Sequence, residues 1–129
     1  MNFKISELVS SDTANRLKIN NMPDLNSLDC MLELICDCLQ PIRDKLGKPM
    51  IITSGFRCYQ LNKAIGGAVN SQHTKGQSVD FHVNGMSISD VIKFITNSGV
   101  PFDQLINEHN QWVHISYRKG NNRRQVLNL

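Results

Sequence analysis

A chain of 129 residues, 40% apolar and 19% charged, has the size and composition of one domain that buries its own core, which excludes a disordered tail, a fibre or a multidomain machine. Fourteen Lys and Arg against eleven Asp and Glu leave a net charge of +3, too mild to imply nucleic acid as a partner. No apolar run approaches the ~20 residues that span a bilayer, so no membrane partner is expected and function has to come from a site.

Residues 1–24 read as an irregular lead-in with short helical pieces. The opening MNFKISELVSSD shows no basic segment followed by an apolar one, so a protein made in the cytoplasm without a secretory signal is expected. Leu28, Met31, Leu32, Ile35, Leu39, Ile42 and Leu46 then recur at helical spacing, with Asn26 or Ser27 as N-cap and Gly47 as stop. Pro41 falls inside this pattern and predicts a kink or a restart. Cys30, Cys36 and Cys38 on the helix and Cys58 beyond it lack the paired C-x-x-C steps of a zinc ribbon, and read as reduced, mostly buried apolar residues.

Met50, Ile51, Ile52 and Thr53 predict a short buried strand that ends at Ser54-Gly55. A short helix over 57–65 stopping at Gly66-Gly67, a polar loop and a strand over 78–83 follow. Ser87 caps a helix whose apolar face is Ile88, Val91, Ile92 and Ile95, closed by Gly99 and Pro101. Strands over 103–107 and 112–117 flank a turn at Glu108-His109-Asn110-Gln111. Residues 118–129 form a basic tail, in which Arg118, Lys119, Arg123 and Arg124 suit a solvated face or strand flank. The order of helices and hairpins predicts an α+β layer fold in a single domain over 1–129, with no linker or repeat.

Four histidines, His73, His82, His109 and His114, draw the eye to metal chemistry. A metal that activates water needs about three protein ligands and one open position. His73 on a loop, Asp80 on the strand after it and His114 on a distant strand could converge as such a set, and imidazole with carboxylate suits Zn²⁺. Gly76 permits a sharp reversal between the first two. Spacing alone leaves each histidine open to a plain structural role.

Motifs narrow the choice. Ser71-x-His73-x-x-Gly76-x-Ser78-x-Asp80 resembles the S-x-H-x-x-G-x-A-x-D motif of the zinc D-Ala-D-Ala carboxypeptidases and their phage endolysin relatives. Trp112-Val113-His114 is similar to that family's second motif, and Thr53-Ser54-Gly55-Phe56-Arg57 to its S-G-[YF]-R strand end. The resemblance runs from about Phe3 to Tyr117. It implies the fold of the vancomycin-resistance dipeptidases and the hedgehog signalling domain, an antiparallel sheet with helices packed on it and a zinc site at loop and strand ends. It also implies one Zn²⁺ held by His73, Asp80 and His114, with Arg57 holding a substrate carboxylate or the developing oxyanion. Ser71 would orient the peptide or stabilise its own loop, with Gln72 a further candidate; Trp112 would floor the cleft or pack in the core. His82 would steady the Asp80 carboxylate or serve the structure alone.

Two departures from the pattern stand out. Ser78 replaces the usual alanine, a mild change if its hydroxyl finds a partner. Gln111 stands three residues before His114, where many relatives carry the catalytic acid, and an amide cannot be a general base. A reversal through His109-Asn110 would bring Glu108 back beside Gln111 and Trp112, which makes Glu108 the candidate base and His109 a looser candidate for transition-state stabilisation. The activity implied is zinc-dependent hydrolysis of a peptide bond in peptidoglycan stems or D-amino-acid peptides, carboxypeptidase-like or endolysin-like, by a monomer released through lysis or a phage route. The alternative is a catalytically inactive zinc domain that binds peptidoglycan or a protein, which the missing acid at position 111 favours.

Overall fold

The computed structural model describes all 129 residues. Two short helices, α1 (Ile5–Val9) and α2 (Asp12–Leu17), open the chain. Asn21 then bolts this lead-in to the rest. Its amide nitrogen donates to the carbonyls of Val9 and Phe56, each at 2.9 Å, and its side-chain oxygen accepts from the Cys58 N–H at 2.7 Å.

The long helical segment consists of α3 (Leu25–Leu34), a π turn (Ile35–Leu39) and α4 (Gln40–Leu46), which follow one another without a break. Its N-cap is Asp24, whose carboxylate accepts from the Ser27 N–H at 2.7 Å, so the helix starts before the expected Asn26 or Ser27. The apolar pattern could not show this, because Leu25 in the first turn is exposed. Pro41 cannot donate a backbone hydrogen bond and crowds the carbonyl four residues back; a wide π turn stands just before it, where a kink or a restart was expected. Met31, Leu34, Ile35, Cys38, Leu39 and Ile42 make the buried stripe. All four cysteines are free, but only Cys38 is buried; Cys36 is exposed, and Cys30 and Cys58 are half-buried, which corrects the expectation of mostly buried thiols.

The sheet contains β1 (Ile51–Ser54), β2 (Ser78–His82), β3 (Gln104–Glu108), β4 (Trp112–Ser116) and β5 (Gln125–Asn128) in the order β1-β2-β4-β3-β5. The first four pair antiparallel, and β5 joins β3 in parallel, so the sheet is mixed, not purely antiparallel. Between β1 and β2 lie α5 (Tyr59–Ala64) and a 3-10 turn (Gln72–Lys75). β1 is an edge strand with alternating exposure, and Ile51 is 38% exposed; of the run expected to be buried, Met50 alone is.

Opposed residues of paired strands share a face. Val79 lies opposite Ile115 and Phe81 opposite Val113, and all four are fully buried on the core face, where Val91 and Ile95 of α6 (Ile88–Ser98) also lie in the core. Ser87 caps α6 as expected, accepting from the Asp90 N–H at 3.1 Å, and Gly99 ends it in a left-handed conformation. No helix of the protein is long and apolar enough to cross a membrane.

The segment expected as a basic tail is built into the fold. Asp103 is fully buried, and Arg123 grips it with Nε on Oδ1 at 3.0 Å, Nη2 on Oδ2 at 2.8 Å and its backbone N–H on Oδ1 at 2.9 Å. Arg118 Nε stands 3.3 Å from Oδ2 of the same carboxylate. Arg124 lies over the Phe102 ring, 4.7 Å from its centre, and donates to the Val100 and Thr96 carbonyls just past the end of α6 and within its last turn, where carbonyls lack helical partners. These three arginines are anchored, which is why residues 125–128 can continue as a strand.

Candidate metal centre

The face of the sheet opposite the core carries the chemistry. Asp80 of β2 lies opposite His114 of β4, so the register that buries Val79 and Ile115 turns both ligand candidates to this side. His73 arrives from the 3-10 turn before β2. Ser71 starts that turn by accepting from the His73 N–H at 3.2 Å, and Gly76 closes it at φ +73°. A Cβ at Gly76 would overlap the Ser27 carbonyl oxygen, so only glycine lets the turn lie against α3.

His73 is nearly fully buried, and its Nδ1 lies 2.8 Å from the Gly55 carbonyl oxygen. A carbonyl only accepts, so Nδ1 carries the hydrogen and Nε2 holds the lone pair. That Nε2 lies 3.4 Å from Asp80 Oδ1, and His114 Nδ1 lies 2.9 Å from the same oxygen. The three candidate ligand atoms fall within 4.8 Å of one another. Atoms bound 2.0–2.2 Å from a tetrahedral zinc lie ~3.4 Å apart, so one ion fits with small adjustments. Two imidazole nitrogens and a carboxylate oxygen are donors that could hold a metal ion, and their chemistry suits zinc. Burial pushes the Asp80 carboxyl up, but the imidazoles of His114 and His73 beside it outweigh this and hold the group well below the usual carboxylate range, in its anionic form.

Arg57 borders this cluster. Its backbone N–H donates to the His73 carbonyl at 3.1 Å, and its Nη2 stands 4.0 Å from Asp80 Oδ2. Burial lowers its pKa and Asp80 raises it again; a guanidinium stays charged through such changes. The β3–β4 hairpin reverses where expected, with His109 and Asn110 at φ +55° and +57° and the Gln111 N–H donating to the Glu108 carbonyl at 2.9 Å. Asn107 braces the turn by accepting from the Asn110 N–H at 2.8 Å. Glu108 pairs with Trp112, on the same face as His114 and diagonal to it, which sets their Cα atoms about 7–8 Å apart. Both Glu108 and Trp112 are half-buried; Trp112 packs edge-on against His109 on this face and is not a core residue.

Other candidates are occupied elsewhere. The Ser71 hydroxyl serves its own turn, and the Gln72 amide donates to Asp103 Oδ2 at 3.0 Å. His82 shares the face of Asp80 and makes no hydrogen bond to it; it lines a cleft of about 480 Å³ with residues 83–89, Asn110 and Gln111. Arg57 lines a second cleft of about 270 Å³ with residues 10–13 and 53–56, Leu61 and Ile65. Sequence reasoning missed the Gly55 carbonyl, a backbone group that no residue type announces, and Asn62, which accepts from Arg57 Nη1 at 3.2 Å and sits in no motif identified from the sequence.

Comparison with known proteins agrees with this geometry. The sequence model of the family described as Peptidase M15 matches residues 1–116. The peptidoglycan L,D-endopeptidase MepK of Escherichia coli is 38% identical over 64 residues, a stretch covering 44% of this chain and 35% of that protein. MepK of Shigella flexneri matches with the same figures. The match spans about a third of the length of these relatives.

Proposed function

The chain belongs to the peptidase M15 family, and from that membership we propose that it is a zinc-dependent peptidase hydrolysing a peptide bond in peptidoglycan stems or D-amino-acid peptides. The observation that carries this reading is the meeting of His73, Asp80 and His114, with one imidazole fixed in the ligating tautomer by the Gly55 carbonyl. The likeness to MepK, named as a peptidoglycan L,D-endopeptidase, supports a cell-wall substrate and an internal cut at least as well as removal of a terminal D-alanine.

Zinc on these three ligands would lower the pKa of a water from about 16 toward about 7 and polarise the scissile carbonyl. Glu108 accepts the proton of the attacking water and returns it to the leaving amine. Arg57 directs its charge at a substrate carboxylate or the tetrahedral oxyanion. Trp112 offers a flat apolar wall beside the base, and Ser71 orients the peptide only to the extent that its hydroxyl can serve both turn and substrate. One copy of the chain supplies every group in this scheme.

The test is to incubate zinc-loaded protein with purified peptidoglycan and measure newly released amino groups. His73→Ala and Asp80→Ala should lose stoichiometric zinc, whereas Glu108→Gln should keep a full equivalent and lose about 10²–10⁴-fold in turnover. Unchanged turnover in Glu108→Gln would assign the base elsewhere. Wild-type protein that holds zinc and releases nothing would favour the second reading, a binding domain without catalysis, to which Gln111 in place of an acid points.

A further inference from the structure

Asn62 lies on α5, is 4% exposed, and spends its whole amide on two neighbours. Its Oδ1 accepts from Arg57 Nη1 at 3.2 Å, and its Nδ2 donates to the Ala68 carbonyl at 2.9 Å. Its backbone carbonyl accepts from the Gly67 N–H at 2.9 Å. The loop closes so tightly over this amide that a Cβ at Gly67 would overlap Asn62 Oδ1 and approach Arg57 Nη1 to 3.1 Å. Arg57 needs such a brace. Its Nη2 is 4.0 Å from Asp80, too long for a hydrogen bond, and its Nε is buried with no partner. Asn62 is therefore the one side chain that hydrogen-bonds the guanidinium.

We infer that Asn62 is a positioning residue, which aims the Arg57 guanidinium across the metal cluster and leaves Nη2 free to meet substrate. The inference rests on the proposed role of Arg57 in the reaction. A neutral amide suits the task better than a carboxylate would, because it fixes the fork without neutralising the charge offered to the substrate. A guanidinium that rotates away from a developing oxyanion gives up most of its electrostatic benefit, since a misplacement of about 1 Å can cost about 10²-fold.

A double-mutant cycle tests this on zinc-loaded protein, using soluble muropeptides as substrate and reading kcat, KM, zinc content and the thermal melt. Arg57→Ala should lower kcat by about 10²–10³-fold. Asn62→Leu, close in volume but unable to accept, should lower kcat by about 10- to 100-fold with zinc retained. The double variant should be no slower than Arg57→Ala alone, because Asn62 has nothing left to act through. Gly67→Ala, which displaces the amide without removing it, should repeat the Asn62→Leu loss and replaces it in the cycle if that variant does not fold. Two full losses that multiply in the double variant, or an Asn62→Leu enzyme with unchanged kcat, would overturn the inference while leaving the role of Arg57 standing. An Arg57→Ala enzyme with unchanged kcat would overturn both.

Discussion

The Ser78 hydroxyl, at a position the metal-site motif usually fills with alanine, is buried in β2 and has no hydrogen-bond partner. Leaving such a group unmade costs about 1–3 kcal/mol. Ser78→Ala should thus gain about 1 kcal/mol, seen as a thermal midpoint a few degrees higher, with zinc content unchanged. A lower midpoint would mean the hydroxyl has a partner in solution. At this scale the sequence was most informative where ligand chemistry restricts the residue types. His73, Asp80 and His114, which the structure brings together, could be picked out because few side chains bind zinc, whereas Glu108 is proposed as the base because the chain has few glutamates. Asn62 escaped because an amide in a polar helix has many uses. The Gly55 carbonyl escaped because backbone groups leave no trace in residue identity.

Elements were legible where apolar periodicity or capping chemistry spoke, as in α6 with Ser87 and Gly99, and in the hairpin around His109-Asn110. β5 was not, because Gln125–Asn128 lies at a sheet edge with little buried surface and its pairing is secured from outside, by Arg123 on Asp103. Burial raises the Asp103 carboxyl, but the bonds from Arg123 outweigh it and bring the pKa down to about 2. Its unfolded value is near 3.8. A depressed folded pKa contributes stability that is present above the unfolded value and lost as pH falls through the folded one. Wild type should accordingly exceed Asp103→Asn in stability by about 2 kcal/mol at pH 7, and the gap should close between about pH 4 and pH 2. Melts of both proteins across that range check it; a gap independent of pH would assign the stabilisation to packing.

For the molecule as a whole, the ligand cluster lies across the sheet from the apolar core, so metal and core contribute separately. The chain without zinc should stay folded, since Phe81, Phe102, Leu105 and Ile115 are buried without its help. Zinc at 100 times its dissociation constant should add about 2.7 kcal/mol, which a chelator would remove as a fall of roughly 10 °C in the melting midpoint. Asp80→Asn should show no such fall; an equal shift in that variant would place the bound metal elsewhere. The layered fold was foreseeable from the order of elements, whereas its mixed sheet was not, because parallel pairing of β5 with β3 leaves no local signature.

The strand order has a consequence for how the centre ages and fluctuates. Outermost strands open first, having a neighbour on one side only. Asp80 and His114 ride the inner pair, so breathing of the β5 margin leaves them in register. Breathing of the β1 margin instead slackens the hold on the Gly55 carbonyl and on Arg57 next to it. Under thermal or chemical stress, the placement of Arg57 and the hold on His73 should therefore fail before the register of Asp80 and His114.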